Sequence, residues 1–310
     1  MADKIVLGTR GSELALAQAR LVVEALRERR PDLSVETRII RTSGDEGQDA
    51  PKPVDLRAGR KGLFTAEIER ALVGREIDMA VHSAKDLPSD LNPATEIAAV
   101  LPRAPAGEAL VSAVPYDLES LPPNGIVATG SVRRRHQLRW RRPDVQVVDL
   151  RGNVPTRLRK LANSQWHAII LAQAGLERLG LGEADGGMTY EGRRFAVQML
   201  PREIFLSAGG QGVIALQIRS NDDRVRMLVE SVNHFETRLC LRAEREFLRL
   251  LQADCNQPIG VLAEIEGPVM KLRGQVFDLE AMTPRESIVE GPREDAETLA
   301  ARLFSNIHAT

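Results

Sequence analysis

Ile77-Asp78-Met79-Ala80-Val81-His82-Ser83-Ala84-Lys85-Asp86-Leu87-Pro88 changes character in its middle. Ile77 to Val81 is a short apolar run, too short and too β-branched at its ends to favour a helix, and is predicted as a strand. The run then turns into His82, Ser83, Lys85 and Asp86, four groups that can carry, give or take a proton. Pro88 disfavours α geometry at Leu87, so Asp86 is expected where the backbone leaves any helical path. Open α/β sheets deliver chemistry at the carboxyl ends of their strands, and this stretch reads as such an end. A solvated loop with one charge pair has the same composition. The rest of the chain separates the two readings.

Upstream, Lys4 to Gly8 reads as a strand and Glu13 to Arg29 as a helix, with an apolar stripe of Leu14, Ala17, Leu21, Val22 and Ala25 and Ser12 as N-cap. The turn between them, Thr9-Arg10-Gly11-Ser12, puts free backbone N–H groups beside an arginine, which suits an anion. Leu33 to Ile40 is a second strand. The segment 41–61 has Gly44, Gly47, Pro51, Pro53 and Gly59 and no sustained period, the signature of a functional or disordered loop. A helix from Thr65 to Val73 then leads into the opening stretch.

Downstream, Pro102 to Gly107 marks a boundary, after which the pattern restarts. Ile126 to Ala128 is a strand, Thr129-Gly130-Ser131 a turn and Val132 to Arg141 a helix. Val145 to Leu150 is a strand, and Val154 to Leu161 a helix with Pro155 in its first turn. Ala168 to Ala172 is again a buried strand. The order repeats that of residues 4–82 and predicts two similar α/β units in tandem with a cleft between them. Ser207-Ala208-Gly209-Gly210-Gln211-Gly212 precedes an apolar strand, Val213 to Ile218, that can cross back into the first unit and form a hinge. A long helix from Phe235 to Gln252, strand-like segments within 259–290 and a closing helix from Asp295 to Ile307 predict a third, α+β domain.

The chain has 310 residues, 43% hydrophobic and 27% charged, with a net charge of -1. That length accommodates two or three domains, and that charge excludes a strong overall field for nucleic acid or anionic membrane. Any anion site has to be a local concentration of charge. Aromatic residues are only 4%, which leaves no stacking platform for single-stranded nucleic acid. There is no apolar segment of membrane-spanning length and no signal-peptide core at the amino terminus, so a cytoplasmic protein is expected.

Arginine clusters between residues 133 and 159. Arg139, Arg141, Arg142 and Arg159 are assigned to solvated helix faces. Arg133 and Arg134, at a Gly/Ser strand–helix turn, and Arg151, directly after a strand, are aimed at the cleft. Guanidinium forks pair with carboxylate or phosphate, so the expected ligand is a polyanion. Cys240 falls on the apolar stripe of its helix and reads as a buried, inert thiol. Cys255 lies in the loop Ala253-Asp254-Cys255-Asn256-Gln257-Pro258, where a thiol can be reached. Neither cysteine has a partner at metal-ligand spacing, and no metal is expected.

Taken together, Thr9-Arg10-Gly11-Ser12-Glu13-Leu14-Ala15, Lys61-Gly62-Leu63-Phe64, Ala80 to Pro88, Ser131-Val132-Arg133-Arg134, Leu150 to Leu158, Gly210-Gln211-Gly212 and Cys255 with Pro258-Ile259-Gly260 resemble the porphobilinogen deaminase (hydroxymethylbilane synthase) family over essentially the whole chain. The resemblance implies an α/β fold: two tandem lobes like those of periplasmic binding proteins with a cleft between them, plus a small C-terminal α+β domain. The lobes are placed at 1–102 with 213–230, including an active-site loop at 41–61, and at 107–206. The third domain, at 235–310, carries the cofactor cysteine. The activity implied is a transferase that joins four porphobilinogen molecules head to tail, each losing ammonia, onto a dipyrromethane cofactor held by a thioether to Cys255. Hydrolysis then releases hydroxymethylbilane. Asp86 matches the family's catalytic aspartate, which stabilises the azafulvene-like cation left when ammonia departs. Arg10, Ser12, Lys61, Phe64, Ser83 and Lys85 match cofactor- and substrate-binding positions in the first part of the chain. Thr129, Ser131, Arg133, Arg134, Arg151, Gly152, Arg157, Ala172 and Gln211 do so further on. A monomer with no nucleic acid or membrane partner is implied. Two departures stand out: Thr129-Gly130-Ser131 where relatives commonly have Thr-Ser-Ser, and Ala253-Asp254 where they often have two glycines. The alternative reading is a two-lobed carboxylate-binding protein without catalysis.

Overall fold

β1 (Lys4–Thr9) feeds through Arg10-Gly11-Ser12 into α1 (Glu13–Arg29), and Ser12 caps the helix by accepting the Ala15 N–H through its Oγ at 3.3 Å. The computed structural model describes residues 4–42, 65–182, 186–253, 257–278 and 283–309. Most of the expected loop 41–61, Phe64, and Cys255 with its neighbours Asp254 and Asn256 lie outside them, as does Lys61.

After β2 (Ser34–Ile39) and α2 (Ala66–Val73), β3 (Met79–Ser83) begins two residues later than the apolar run suggested. Asp78 explains the delay. Its Oδ2 accepts the Val6 N–H at 2.8 Å, so a side chain stands where a ladder carbonyl would. Asp86 corrects a second expectation. Ala84–Asp86 form a short 3-10 turn, and it is Leu87 (φ -75, ψ 140) that adopts the extended geometry Pro88 demands.

β4 (Thr95–Val100) and β5 (Glu108–Ser112) follow, and then the second unit: β6 (Ile126–Ala128), α3 (Val132–Arg141), β7 (Gln146–Val148), α4 (Val154–Ala162), β8 (Ala168–Ala172) and α5 (Gln173–Arg178). β9 (Gly187–Tyr190) and β10 (Arg193–Met199) complete it, and β11 (Ile214–Arg219) with α6 (Asp223–Glu230) returns to the first. Among the described residues one sheet has the order β2-β1-β3-β11-β4 and the next β7-β6-β8-β5-β10-β9. The first five positions correspond one to one. β11 lies antiparallel to β3, with Ser83 opposite Ile214, and β5 lies antiparallel to β8, with Ala172 opposite Glu108. The first sheet therefore takes β11 from beyond the second lobe, whose own strands β5 to β10 are consecutive in the chain, and two crossovers, near residues 101–107 and 200–213, form the hinge. Helices cover both faces, as a buried sheet requires. Ile5, Leu7, Val22 and Leu216 pack in one core, and Val111, Ile169, Leu171 and Phe195 in its counterpart. These are two α/β lobes of matching strand order, as the repeat in the sequence predicts.

The third domain sets α7 (Phe235–Leu250) and α8 (Ala296–Ala309) against the antiparallel sheet β12 (Ile259–Glu266), β13 (Val269–Val276) and β14 (Arg285–Pro292). Glu244 of α7, fully buried, ties it to the hinge. It pairs with Arg103 at 2.6 Å and accepts the N–H groups of Gly210 (2.6 Å) and Ala263 (2.8 Å). Both crossovers thus meet on one carboxylate. Cys240, on the same helix, is buried, and burial pushes its thiol up to about 12. Among the described residues no helix is long and apolar enough to cross a membrane.

Candidate functional site

The turn after β3 bears Lys85, which interacts with Glu108, Arg133 and Arg134 of the second lobe, so the end of β3 and the start of α3 meet where the lobes adjoin. On the first lobe, Ser83 Oγ accepts from Gln18 Nε2 of α1 at 2.8 Å. Lys85 Nζ donates to Gln211 Oε1 at 3.3 Å, and Gln211 Nε2 donates to the hinge carbonyls of Ala106 and Gly107 at 2.8 and 3.2 Å. The hinge loop fits tightly against the turn that bears Lys85 and Asp86. Gly210 has φ +75, and a Cβ there would lie 3.0 Å from Ala84 and the Lys85 nitrogen, so only glycine suits it. Asp86 itself is exposed, and Arg10 and Ser12 are half-buried at the neighbouring strand end.

His82 is buried just before the turn. Burial pulls its imidazole down to about 4, the Gln217 carboxamide offsets part of that, and Arg10 adds to the lowering. It is a neutral ring at neutral pH. Lys85 is lowered to about 8, first by burial and then by Arg134; Asp86 and Glu108 oppose the shift, and Arg133 adds to it.

On the second lobe, Thr129 is buried and its Oγ1 accepts the Ser131 N–H at 3.3 Å, while Ser131 Oγ caps α3 by accepting the Arg134 N–H at 3.4 Å. A Cβ on Gly130 would press into the Leu150 carbonyl, so packing between the two turns leaves no room for a side chain there. Asn153 caps α4 through the Thr156 N–H at 2.9 Å, and Arg157 Nε donates to the Gly152 carbonyl at 2.7 Å. Arg151 is half-exposed and pairs with Asp149 at 2.9 Å. Ala172 ends β8 directly opposite Glu108.

The arginines of α3 correct the expectation of open forks. Arg133 is buried: its Nη2 meets Glu108 Oε1 at 2.5 Å, and its Nη1 donates to the Leu206 carbonyl at 2.7 Å and to Gln137 Oε1 at 3.0 Å. Arg134 is buried as well, with Nη2 on Glu108 Oε2 at 2.7 Å and Nη1 on the Ile170 carbonyl at 2.8 Å. An internal carboxylate has taken the forks. Glu108 went unnoticed in the sequence, where it is a single acid after a Pro/Gly-rich boundary. Arg142 corrects the assignment to solvent. It closes α3, pairs with Asp144 at 2.7 Å, and donates to the carbonyls of Leu118, Glu119 and Leu121. Arg139, Arg141 and Arg159 are exposed as read.

Where the lobes meet, then, Lys85, Arg133 and Arg134 stand against two carboxylates, the buried Glu108 and the exposed Asp86, and positive charge is in excess. The Nε of Arg134 is buried with no hydrogen-bond partner among the described residues. A buried, unpaired donor beside surplus cations fits a group that carries carboxylates, as a dipyrromethane does.

Known proteins agree with this reading. Residues 5–227 match the family described as porphobilinogen deaminase, dipyromethane cofactor binding domain, and residues 238–309 match the porphobilinogen deaminase C-terminal domain. Porphobilinogen deaminase from Moorella thermoacetica is 42% identical over 306 residues, covering 99% of this chain and 93% of that protein. The protein of that name from Pelotomaculum thermopropionicum is 42% identical over 307 residues, covering 99% and 94%. The one from Syntrophomonas wolfei is 44% identical over 274 residues, covering 88% and 85%.

Proposed function

The chain belongs to the porphobilinogen deaminase family, and from that premise we propose which of its residues bind and which carry the reaction. The enzyme is a transferase that joins four porphobilinogen molecules head to tail, expelling ammonia at each step, and releases hydroxymethylbilane by hydrolysis. Its cofactor is dipyrromethane, which when bound supplies the pyrrole carbon to which the first substrate is joined.

In our assignment Cys255 holds that group through a thioether, and Lys61 and Phe64, which like Cys255 lie outside the described residues, contribute to binding it. Arg10, Ser12, Ser83, Lys85 and Gln211 on one side, and Thr129, Ser131, Arg134, Arg151, Gly152, Arg157 and Ala172 on the other, receive the acetate and propionate groups. Arg133 acts from behind, through Glu108. Ammonia can leave only if it departs protonated and the positive charge left on the substrate pyrrole is held. Asp86, the carboxylate nearest Lys85 in the chain, holds that charge by accepting from pyrrole N–H groups and passes a proton at the same oxygens. The observation that carries the assignment is the excess of positive charge at the buried Arg133 and Arg134 and the half-buried Lys85, beside an exposed carboxylate.

An intact mass of the purified chain tests it, since only a covalent pyrrole adduct adds mass. Cys255→Ala is expected to lose both adduct and activity, whereas Cys240→Ala keeps both. An adduct mapped to Cys240, or to neither cysteine, overturns the assignment. The reading also includes a cytoplasmic monomer that binds no nucleic acid, which sedimentation of the purified enzyme with and without RNA checks.

A further inference from the structure

α3 is built against its own electrostatics. A helix amino terminus carries partial positive charge and favours acids, yet the first turn of α3 contains no acid and presents Arg133, Arg134 and Arg135 in succession. Lys85 approaches the same place from the other lobe and interacts with Arg134 and Arg133. Three cations in a buried site repel one another, and without an anion the two guanidiniums would swing apart or towards solvent.

Glu108 supplies that anion from a rigid position. It is the first residue of β5, fully buried, and the ladder with Ala172 fixes its backbone. Each carboxylate oxygen takes one guanidinium, and the other ends of both arginines are fastened to carbonyls, of Leu206 and Ile170. Neither fork has freedom left. Arg133 has both terminal nitrogens engaged, while Arg134 retains its unpaired Nε. Burial pushes the Glu108 carboxyl up, but Arg134, Arg133 and Lys85 and the hydrogen bond from Arg134 outweigh it and bring it down to about 2, so it stays ionised.

We propose that Glu108 is a positioning residue for the reaction: it locks the guanidiniums of Arg133 and Arg134 in place and holds Lys85 as a cation, so that the site meets pyrrole carboxylates already arranged. It touches neither substrate nor cofactor in this role. The inference rests on the assignment above that Lys85 and Arg134 receive pyrrole carboxylates. It also explains why an acid stands where ligand carboxylates have to bind: Glu108 fixes two guanidiniums with one negative charge, and with Asp86 counted the three cations still outnumber the carboxylates.

The test compares Glu108→Gln and Glu108→Asp with the parent enzyme. The readouts are adduct content by intact mass, kcat and KM for porphobilinogen, and the titration of the Lys85 ammonium by NMR. Glu108→Gln is expected to lower kcat/KM by roughly 10²-fold, mostly through KM, as misplaced binding groups do. It should also leave part of the chains without adduct. The groups acting on Lys85 are Arg134, Arg133, Asp86 and Glu108. Removing the Glu108 charge therefore moves the Lys85 midpoint to lower pH, by roughly one unit. Glu108→Asp keeps the charge and withdraws it by one methylene, so kcat/KM should fall by roughly tenfold while the Lys85 midpoint stays near the parent value. A purely structural acid would lower the melting temperature without moving KM or the Lys85 titration, and that result overturns the proposal. If Glu108→Gln does not fold, Glu108→Asp decides alone, and parent-like kcat/KM in that variant overturns it. A parent chain with no adduct and no turnover overturns the functional assignment and this inference with it, whereas a working parent beside an indifferent Glu108→Gln overturns the inference alone.

Discussion

The two lobes share a strand order and differ in what their matching strands deliver. β3 and β8 occupy the same place in their sheets, and each is followed by an N–H that donates to a hinge carbonyl: Ala84 to Val213 and Gln173 to Gly107, both at 3.0 Å. Counting on from those ends, Lys85 and Asp86 correspond to Ala174 and Gly175. One lobe turns sharply there, because Pro88 stops the helix, and offers an amine and a carboxylate. The other runs on into α5 and offers nothing that ionises. The opening strands show the reverse. Thr9-Arg10-Gly11-Ser12 leads into a helix with an acid, Glu13, in its first turn, whereas Thr129-Gly130-Ser131 leads into one with three arginines. Duplicated architecture has thus divided the work: the first lobe supplies the reacting carboxylate and the second a fixed array of cations. The division holds only while the hinge keeps the two ends facing each other.

The sharpest way to break this comparison is Asp86→Asn. It preserves shape and removes a carboxylate whose counterpart in the second lobe is Gly175. Single-turnover addition of porphobilinogen to adduct-loaded protein should fall by at least the roughly 10²–10⁴-fold typical of a lost acid–base group. Near-parent elongation would make Asp86 a bystander and leave the lobes functionally alike.

A pH experiment sharpens the cationic side. Lys85 is held at about 8 in the folded protein against an ordinary 10.5. The unfolded chain therefore binds this proton more tightly, and the contribution of Lys85 to stability rises as pH climbs from about 8 to 10.5 and is flat below that window. A bound carboxylate reverses the preference by favouring the ammonium. Binding of porphobilinogen between pH 8 and 10.5 should accordingly take up protons, which calorimetry in buffers of different ionisation enthalpy would detect. Equal heats in all buffers would remove Lys85 from the carboxylate-binding set.

Smaller effects distinguish the arginines that work from those that brace. Arg142→Ala should cost about 1–2 kcal/mol of stability through the carbonyls of Leu118, Glu119 and Leu121 that it leaves unpaired, with kcat/KM unchanged below the melting transition. Arg139→Ala, on the exposed face of the same helix, should be neutral within about 0.5 kcal/mol. The caps come last. Ser12→Ala removes the α1 cap and should lower stability by about 1 kcal/mol in thermal melts. Ser131→Ala should cost a similar amount and, being beside the arginines, should also raise KM; an unchanged KM would confine Ser131 to capping.

Much of this architecture is local and was therefore legible. α1 and α3 were read to the residue because Ser12 and Ser131 mark their starts and an apolar stripe or a run of helix formers carries them on. The repeat of strand, turn and helix announced two lobes, and the proton-bearing end of β3 stood out because Pro88 follows it so closely. Four strands escaped: β4, β5, β9 and β10. They pair antiparallel with partners brought in by the hinge or across the outer sheet edge, and short, buried or edge segments carry no periodicity that reveals such pairing. The same limit hid the role of Arg142. A pattern of helix faces says nothing about a residue that caps the end and turns back to a loop more than twenty positions away.

Residue types at short spacing determined, from the sequence alone, that this chain has strand ends built for anions, a carboxylate beside a lysine and an apolar place for Cys240. These depend on propensity, capping and chemistry within one turn of chain. Which cations are free and which are spent was decided only by the tertiary structure. Glu108 reaches Arg133 and Arg134 because the register of β5 on β8 sets it there, 25 and 26 residues away in the chain. Charge compensation acts through space, and a buried carboxylate at 2.5 Å from one guanidinium and 2.7 Å from the next outweighs anything the neighbouring residues in sequence can say about where an arginine points.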